Sequence, residues 1–230
     1  MKIAFFVEGF TEQLLIKELS VFYHGSNNLT YSLYKLRGGS SVPLRISLVE
    51  KHEAADKKSD LVFNIFDCGS VDNIKPMINH HRNSLYKNSF SRIVGLRDVI
   101  PLTKDDIANL LIDFPYKMAQ KPIPTVFLIS VMETEAWFIA EPNHYLKISP
   151  LLTKEFISTE LGINIETLDV ESIDRPAESL NKIYSLAGKT YDKTQDISRT
   201  VSSLDLFTFY CLLPDRISRL KDLINELERV

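Results

Sequence analysis

The sequence predicts an α/β fold: a mostly parallel sheet flanked by helices, with a helical C-terminal appendage. Short, nearly all-apolar runs recur up to about residue 131, helical patterns alternate with them, and from about Pro142 only helical patterns continue. Strands that are apolar on both faces are typical of a parallel sheet covered by helices on both sides. The predicted organisation is an α/β domain over residues 1–141 and a mainly helical region over residues 142–230 packed on it.

The chain opens with a pattern typical of a strand, a tight turn and a helix. Residues 2–7 are an apolar run that ends at Glu8-Gly9. Apolar residues at helical spacing follow Thr11, whose side chain we expect to cap the helix. Residues 29–36 alternate between apolar and polar side chains, which predicts a half-buried strand.

The later elements follow from the same two patterns. After a Gly-Ser loop at residues 38–41, the apolar residues between Leu44 and Val49 predict a helix. Apolar runs predict three further strands, at residues 61–66, 92–96 and 125–131. Helical spacing predicts helices near residues 74–85, 103–118, 133–140, 153–161, 177–187 and 215–227. Trp137 lies within the apolar run AWFIA, so we expect it to anchor the core.

Composition excludes several classes of protein. With 25% charged and 44% hydrophobic residues in 230, the chain is neither a disordered tail, a collagen nor a membrane bundle. Its apolar runs are much shorter than the roughly 20 residues of a bilayer-spanning helix. Cys68 and Cys211 lack CxxC spacing, so we expect reduced thiols and a cytoplasmic protein without membrane contact. A net charge of −3 gives no global attraction to nucleic acid, which must then come from a local basic patch or from bound cations.

Acidic side chains recur where the predicted strands end. Glu8, Asp67 and Asp98 follow three of the runs, and Glu133 and Glu135 come just after the last. Open α/β sheets bind ligands outside the carboxyl ends of their strands. Several carboxylates without a matching His and Cys cluster favour a hard cation, Mg²⁺ or Mn²⁺, over zinc. The pattern predicts cation-assisted phosphoryl transfer, with the cations also attracting a phosphate backbone.

Three acidic residues have alternative interpretations. Glu12 lies four residues after Glu8, so both carboxylates can reach one point, but an acidic residue in a first helical turn also compensates the helix dipole. Glu133 and Glu135 point in different directions if the backbone is helical and share a face if it is extended. We therefore expect one of the pair to be a ligand and the other to be structural.

Lys193 is the basic residue that we consider for the site. Its ammonium could face a phosphate across the predicted cleft. A solvated helix face explains a lysine at this position nearly as well. Both interpretations stay open from the sequence.

Three motifs carry a resemblance to a known family. The run Val7-Glu8-Gly9-Phe10-Thr11-Glu12 after a strand resembles the opening EGxTE motif of Toprim domains, particularly those of the overcoming-lysogenization-defect nucleases. Residues 133–140, ETEAWFIA, resemble the ExEAW signature of a related family of uncharacterised bacterial Toprim-like proteins. Tyr191-Asp192-Lys193 and the segment 203–209 resemble that family's C-terminal Y-x-K and Ser/Phe-rich region. The three motifs occur in order and span most of the chain.

The resemblance implies a Toprim fold and a Mg²⁺- or Mn²⁺-dependent nuclease acting on DNA or RNA. Glu8 would be a metal ligand or general acid/base, and Glu12 a second ligand. The resemblance also implies a setting in bacterial genome defence beside a separate ATPase partner, since the chain has no Walker motif. The family's DxD motif is absent: Asp67-Cys68-Gly69 and Asp98-Val99-Ile100 each keep one Asp, so either could be the primary ligand.

Other functions remain open from the sequence. A catalytically degenerate Toprim-like module would bind a partner protein or nucleic acid without a reaction, and the incomplete DxD favours it. A third candidate is a phosphatase or nucleotide-processing enzyme with a small substrate. Cation binding that depends on Glu8 would favour an enzyme over a binding module. The choice between DNA and RNA and the oligomeric state stay open.

Overall fold

The computed structural model describes residues 1–39, 42–56 and 59–229. Its strands form one six-stranded sheet in the order β3-β2-β4-β1-β5-β6. Strand β1 runs parallel to β4 and β5, β2 runs parallel to β4, and β3 pairs antiparallel with β2 at the edge. The predicted α/β class is confirmed. The strands are β1 (Lys2–Val7), β2 (Leu29–Gly39), β3 (Val42–His52), β4 (Leu61–Asp67), β5 (Arg92–Asp98) and β6 (Thr125–Ser130).

Helices follow most strands and make up the regular structure beyond residue 134 in the described part of the chain. No helix among the described residues combines the length and the apolarity needed to cross a bilayer. Short 3₁₀ turns occupy Lys104–Asp106, Val170–Ser172 and Leu213–Asp215, and a π-helical segment covers Thr208–Leu212. The α-helices are α1 (Phe10–His24), α2 (Val71–Lys87), α3 (Ile107–Asp113), α4 (Glu135–Ala140), α5 (His144–Ile148), α6 (Lys154–Leu161), α7 (Pro176–Ser185), α8 (Ile197–Ser203) and α9 (Ser218–Leu227).

The helix predicted for residues 44–49 is wrong, because this segment belongs to strand β3. The sequence Leu44-Arg45-Ile46-Ser47-Leu48 alternates with the period of two that a strand requires. Ile46 is the register partner of Leu36, and a register shift follows at Leu48 and its partner Tyr34. Ile46, Leu48 and Val49 are exposed in β3, and the adjacent apolar residues Leu48 and Val49 break the alternation. Ser40 and Ser41 of the predicted Gly-Ser loop lie outside the described residues.

The chain divides into two compact units, both discontinuous in sequence. The first comprises Met1–Arg97, Ala108–Ile129 and Glu226–Val230, and the second comprises Asp98–Ile107 and Ser130–Asn225. The predicted boundary at residue 141 stays a prediction. Asp98 and Ser130, the last residues of β5 and β6, both belong to the second unit.

Each unit has an aromatic core. In the first, the Phe6 and Phe66 rings stack with centroids 4.6 Å apart, and Tyr34 stacks on Phe66 at 4.7 Å. In the second, Trp137 is fully buried, which confirms its predicted place in the core, and the Tyr145 and Tyr184 rings meet edge to face. Such pairs contribute about 0.5–1.5 kcal/mol each beyond the area they bury.

Candidate functional site

Three predicted site residues, Glu8, Glu12 and Asp67, belong to the first unit. Val7 and Asp67 are register partners in the parallel pair β1 and β4, and the backbone N–H of Cys68 donates to the Val7 carbonyl at 2.9 Å. Glu8 directly follows Val7, so Glu8 and Asp67 lie at the same edge of the sheet. The prediction that acidic residues gather at the carboxyl ends of the strands agrees with this placement.

The side chain of Glu12 takes part in capping the N-terminus of helix α1. Its Oε2 accepts a hydrogen bond of 2.9 Å from the backbone N–H of Gly9, which is the N-cap residue. Thr11 lies inside the first turn and is buried, so the prediction that Thr11 caps the helix is wrong. Of the two interpretations of Glu12, the structural one has a defined hydrogen bond.

Asp67 is buried and held by neighbours from its own unit. Its Oδ1 accepts a hydrogen bond of 2.9 Å from the N–H of Gly69, and its Oδ2 lies 3.7 Å from the Nζ of Lys35. Burial raises the pKa of Asp67, and the Gly69 N–H and Lys35 oppose that rise. The carboxylate therefore has local compensation, from one backbone donor and one partly exposed lysine.

A different arrangement surrounds Asp98, Glu133 and Glu135 in the second unit. Each offers one carboxylate oxygen, and these oxygens all lie within 4.8 Å of one another. Within residues 1–39, 42–56 and 59–229, this is the one group of three or more side chains that meets such a criterion for a metal site. We call it the acidic cluster. Glu133 and Glu135 both join it because helix α4 begins at Glu135, so the backbone at Glu133 is not helical.

The carboxylate of Asp98 is held by hydrogen bonds from the last residue of β6 and from the turn that follows it. Its Oδ1 accepts hydrogen bonds from the Ser130 hydroxyl, from the N–H of Thr134 at 3.1 Å and from the Thr134 hydroxyl at 3.2 Å. Three donors to one oxygen restrain the carboxylate strongly. Its other oxygen, Oδ2, lies 4.0 Å from the Nζ of Lys193.

The two glutamates are held by different partners. Oε2 of Glu133 accepts a hydrogen bond of 2.9 Å from the N–H of Ala177, in the first turn of α7. Oε1 of Glu135 accepts one of 2.7 Å from the Tyr191 hydroxyl. Oε2 of Glu135 is buried and accepts no hydrogen bond from the described residues. It lies 3.2 Å from the Nζ of Lys193, which is an ion-pair distance without hydrogen-bond geometry.

Lys193 inserts its ammonium among all three carboxylates. Nζ donates to Oε1 of Glu133 at 2.7 Å and lies near Glu135 and Asp98 as well. Burial lowers the pKa of Lys193, but the three acidic neighbours outweigh it and the net pKa is raised. Burial also raises the pKa of Glu135, against the effects of Lys193 and Tyr191. Three carboxylates against one ammonium leave a formal excess of two negative charges when all are ionised.

A cleft with a volume of about 850 Å³ opens beside the cluster, within the second unit. Glu133 contributes to its wall, so one member of the cluster faces this space. Leu102 and Met132 supply apolar surface, and Lys104 and Arg175 supply positive charge. Lys104 pairs with Asp174, and Arg175 pairs with Glu178, so acidic partners already balance both cations.

The sequence named the acidic residues and Lys193 individually and missed their supporting partners. Tyr191, Ser130 and Thr134 received no role, although all three donate hydrogen bonds to the cluster. The available signal was the position of Tyr191, two residues before Lys193. The site thus defines an α/β protein with a buried acidic cluster around one lysine. The chain matches no protein-family profile, no curated protein and no solved structure at a significant level.

Proposed function

We propose that this chain is a Mg²⁺- or Mn²⁺-dependent nuclease of the Toprim type, which hydrolyses phosphodiester bonds of DNA or RNA in the cytoplasm. The observation that carries the proposal is the acidic cluster: three buried carboxylates with oxygens within 4.8 Å of one another. Carboxylates converge in this way at a cost in repulsion and desolvation, which a bound cation offsets. Asp67, which is compensated by the Gly69 N–H and by Lys35, does not need one.

The donor set of the cluster fits a hard divalent cation. Asp98, Glu133 and Glu135 would hold it, and all three offer carboxylate oxygens with no nitrogen or sulfur ligand. Oε2 of Glu135 is buried and accepts no hydrogen bond from the described residues, so it retains capacity for a ligand. When bound, Mg²⁺ or Mn²⁺ would polarise the phosphoryl group and lower the pKa of a coordinated water.

The residues around the cleft would bind and orient the substrate. Leu102 and Met132 offer apolar surface to a sugar or base, and Lys104 and Arg175 offer positive charge to phosphates. In hydrolysis the water oxygen forms a bond to phosphorus and gives up a proton, the bond to the leaving oxygen breaks, and the leaving oxygen gains a proton. Because acidic residues balance both cleft cations, attraction for a polyanion would come mainly from the cation at the cluster.

Two parts of the proposal rest on the resemblance to Toprim-like proteins. The resemblance assigns Glu8 the role of metal ligand or general acid/base, and Glu12 that of a second ligand. A separate ATPase would serve as the partner protein, in bacterial genome defence. Neither part is needed for the acidic cluster to bind a cation, so they are tested separately from it.

One observation favours the second candidate, a binding module without catalysis. Lys193 contacts all three carboxylates, as in a self-contained structural ion network. Buried networks of this kind fix conformation without any reaction. The two candidates differ in what happens when a divalent cation and a phosphodiester are added.

A cleavage assay separates them. The wild-type chain is incubated with plasmid DNA, single-stranded DNA, RNA and a small phosphate monoester, each with Mg²⁺, with Mn²⁺ and with chelator. We expect cleavage of at least one polymer that requires the cation and falls at least a hundredfold in Glu133→Gln. Glu160→Gln, an exposed position in α6, is the matched control and retains full activity.

Three outcomes would contradict the proposed nuclease. Hydrolysis of the monoester alone would favour an enzyme acting on small phosphates. Cleavage unaffected by chelator would remove the cation from the reaction. No cleavage of any substrate, together with nucleic-acid binding that survives Glu133→Gln, would favour the binding module.

A further inference from the structure

Lys193 differs from the three carboxylates that it contacts in how much of its side chain is exposed to solvent. The Asp98, Glu133 and Glu135 side chains are 7%, 11% and 0% exposed, whereas the Lys193 side chain is 39% exposed. The lysine therefore enters the acidic cluster from the solvent side, and only its ammonium lies deep. A buried glutamate cannot leave its place without unfolding its surroundings, but a half-exposed lysine can.

We propose that Lys193 is a displaceable internal cation: its ammonium partly neutralises the acidic cluster until a divalent cation binds there, and it then swings out toward solvent. This inference rests on the proposed function, because it takes the cluster as the cation site. The reason is geometric. Nζ lies 2.7 Å from Oε1 of Glu133 and 3.2 Å from Oε2 of Glu135, so it occupies the space in which a metal bound to both oxygens would lie.

The segment that carries Lys193 is held by its backbone and by its neighbours. The N–H of Tyr191 donates to Oδ1 of Asn181, and the Tyr191 hydroxyl stays on Glu135. Oδ1 of Asp192 accepts hydrogen bonds from the N–H groups of Thr194 and Gln195, which fixes the turn around the lysine. Displacement therefore needs only rotation about the side-chain bonds of one lysine, which has a flexible four-carbon stem.

Displacement would give the site an order of binding. Without a divalent cation, the Lys193 ammonium forms ion pairs with the carboxylates of the cluster and is not available to bind a phosphate. After a cation takes those oxygens, repulsion between like charges drives the ammonium away, and its stem limits how far it moves. A positive group would then stand beside the cluster for a phosphate, so cation binding would precede productive substrate binding.

The test measures affinity for Mn²⁺ alone, by calorimetric titration of the full chain without substrate. Lys193→Met removes the competing ammonium and keeps most of the stem's volume, so we expect Mn²⁺ to bind at least tenfold more tightly than to wild type. Lys189→Met is the matched control, because it removes one positive charge from an exposed lysine four residues earlier. Its affinity should stay within twofold of wild type.

Thermal unfolding gives a second readout. In chelator, Lys193→Met should melt at a lower temperature than wild type, because the cluster has lost the ammonium that contacts all three carboxylates. Added Mn²⁺ should raise its melting temperature more than that of wild type. If Lys193→Met fails to fold, Lys193→Arg replaces it: a guanidinium binds carboxylates in a bidentate manner, resists displacement and should weaken Mn²⁺ binding below wild type.

The results distinguish failure of this inference from failure of the proposed function. If wild type binds Mn²⁺ and Lys193→Met binds it equally or more weakly, Lys193 is not displaced and the inference is overturned, while the cation site stands. If neither wild type nor the Lys193 variants bind Mn²⁺, the proposed cation site itself is overturned, and the inference falls with it.

Discussion

Asp67 and Asp98 both end strands of one sheet, yet their surroundings differ. Asp67 is satisfied by the N–H of Gly69 and by one partly exposed lysine, Lys35. Asp98 receives three hydrogen bonds on one oxygen, and its other oxygen faces Lys193 within the acidic cluster. A carboxylate at a strand end is thus common to both positions. The convergence of further carboxylates on the same point distinguishes Asp98.

The difference has a physical consequence for charge. Asp67 is one buried carboxylate with one nearby cation, so its surroundings come close to neutrality. The cluster places three carboxylates around one ammonium and keeps a formal excess of negative charge. Such an excess is costly in a buried place unless protons or cations reduce it. The acidic cluster, and not the surroundings of Asp67, therefore has the character of a cation site.

The largest expected effect separates the two aspartates directly. Asp98→Asn keeps the shape of the side chain and removes one charged ligand, so Mn²⁺ affinity should fall at least a hundredfold, or about 2.8 kcal/mol. Asp67→Asn, the matched substitution, should change the affinity less than threefold. Calorimetric titration measures both.

The same titration decides which strand end holds the primary ligand, a question that the sequence left open between Asp67 and Asp98. If Mn²⁺ affinity falls a hundredfold in Asp67→Asn and changes little in Asp98→Asn, Asp67 and not Asp98 is the primary ligand. Glu8→Gln belongs in the same series: a tenfold loss there would support the role that the resemblance assigns to Glu8.

A smaller effect tests whether Glu135 is ionised in the cluster. Tyr191→Phe removes the hydroxyl that donates to Oε1 of Glu135, and it should lower the free energy of unfolding by about 1.5–3 kcal/mol, because bonds to charged acceptors are the stronger ones. Tyr184→Phe is the control, since its hydroxyl donates to the neutral hydroxyl of Thr200, and about 0.5–1 kcal/mol is expected. Chemical denaturation at neutral pH in chelator measures both.

Equal losses in the two tyrosine variants would contradict an ionised Glu135. Burial raises the pKa of Glu135, while Lys193 and Tyr191 oppose the rise. A protonated Glu135 would accept a hydrogen bond no stronger than that of Thr200. The excess negative charge of the cluster would then be one unit smaller.

Much of the fold could be predicted because its signals are local. Residues 2–7 and 61–66 are apolar runs that end at acidic residues, and the structure has β1 and β4 there. The edge strand β3 was assigned wrongly because the adjacent apolar residues Leu48 and Val49 break the alternation of residues 44–48. Strand assignment is weakest where one side of the strand has no partner.

The site could be predicted only as separate residues. Asp98, Glu133, Glu135 and Lys193 were all candidates, but no local pattern joins Glu133 to Lys193, which lie 60 positions apart. Their contact depends on how α4, α7 and the segment after α7 pack in the second unit. The donors Ser130, Thr134 and Tyr191 were missed for the same reason, since a hydroxyl gains its role only from what it faces.

The smallest effect concerns Glu12, which the sequence could assign either to a metal ligand or to compensation of the helix dipole. Its carboxylate accepts the hydrogen bond of the N-cap residue Gly9, so Glu12→Ala should lower the free energy of unfolding by about 1 kcal/mol. Glu12→Gln keeps an acceptor oxygen and should recover most of that loss in urea denaturation. Neither variant should change Mn²⁺ affinity more than threefold. A tenfold loss of affinity in Glu12→Gln at unchanged stability would make Glu12 a ligand, and the first unit would then share in a function that the comparison assigns to the second.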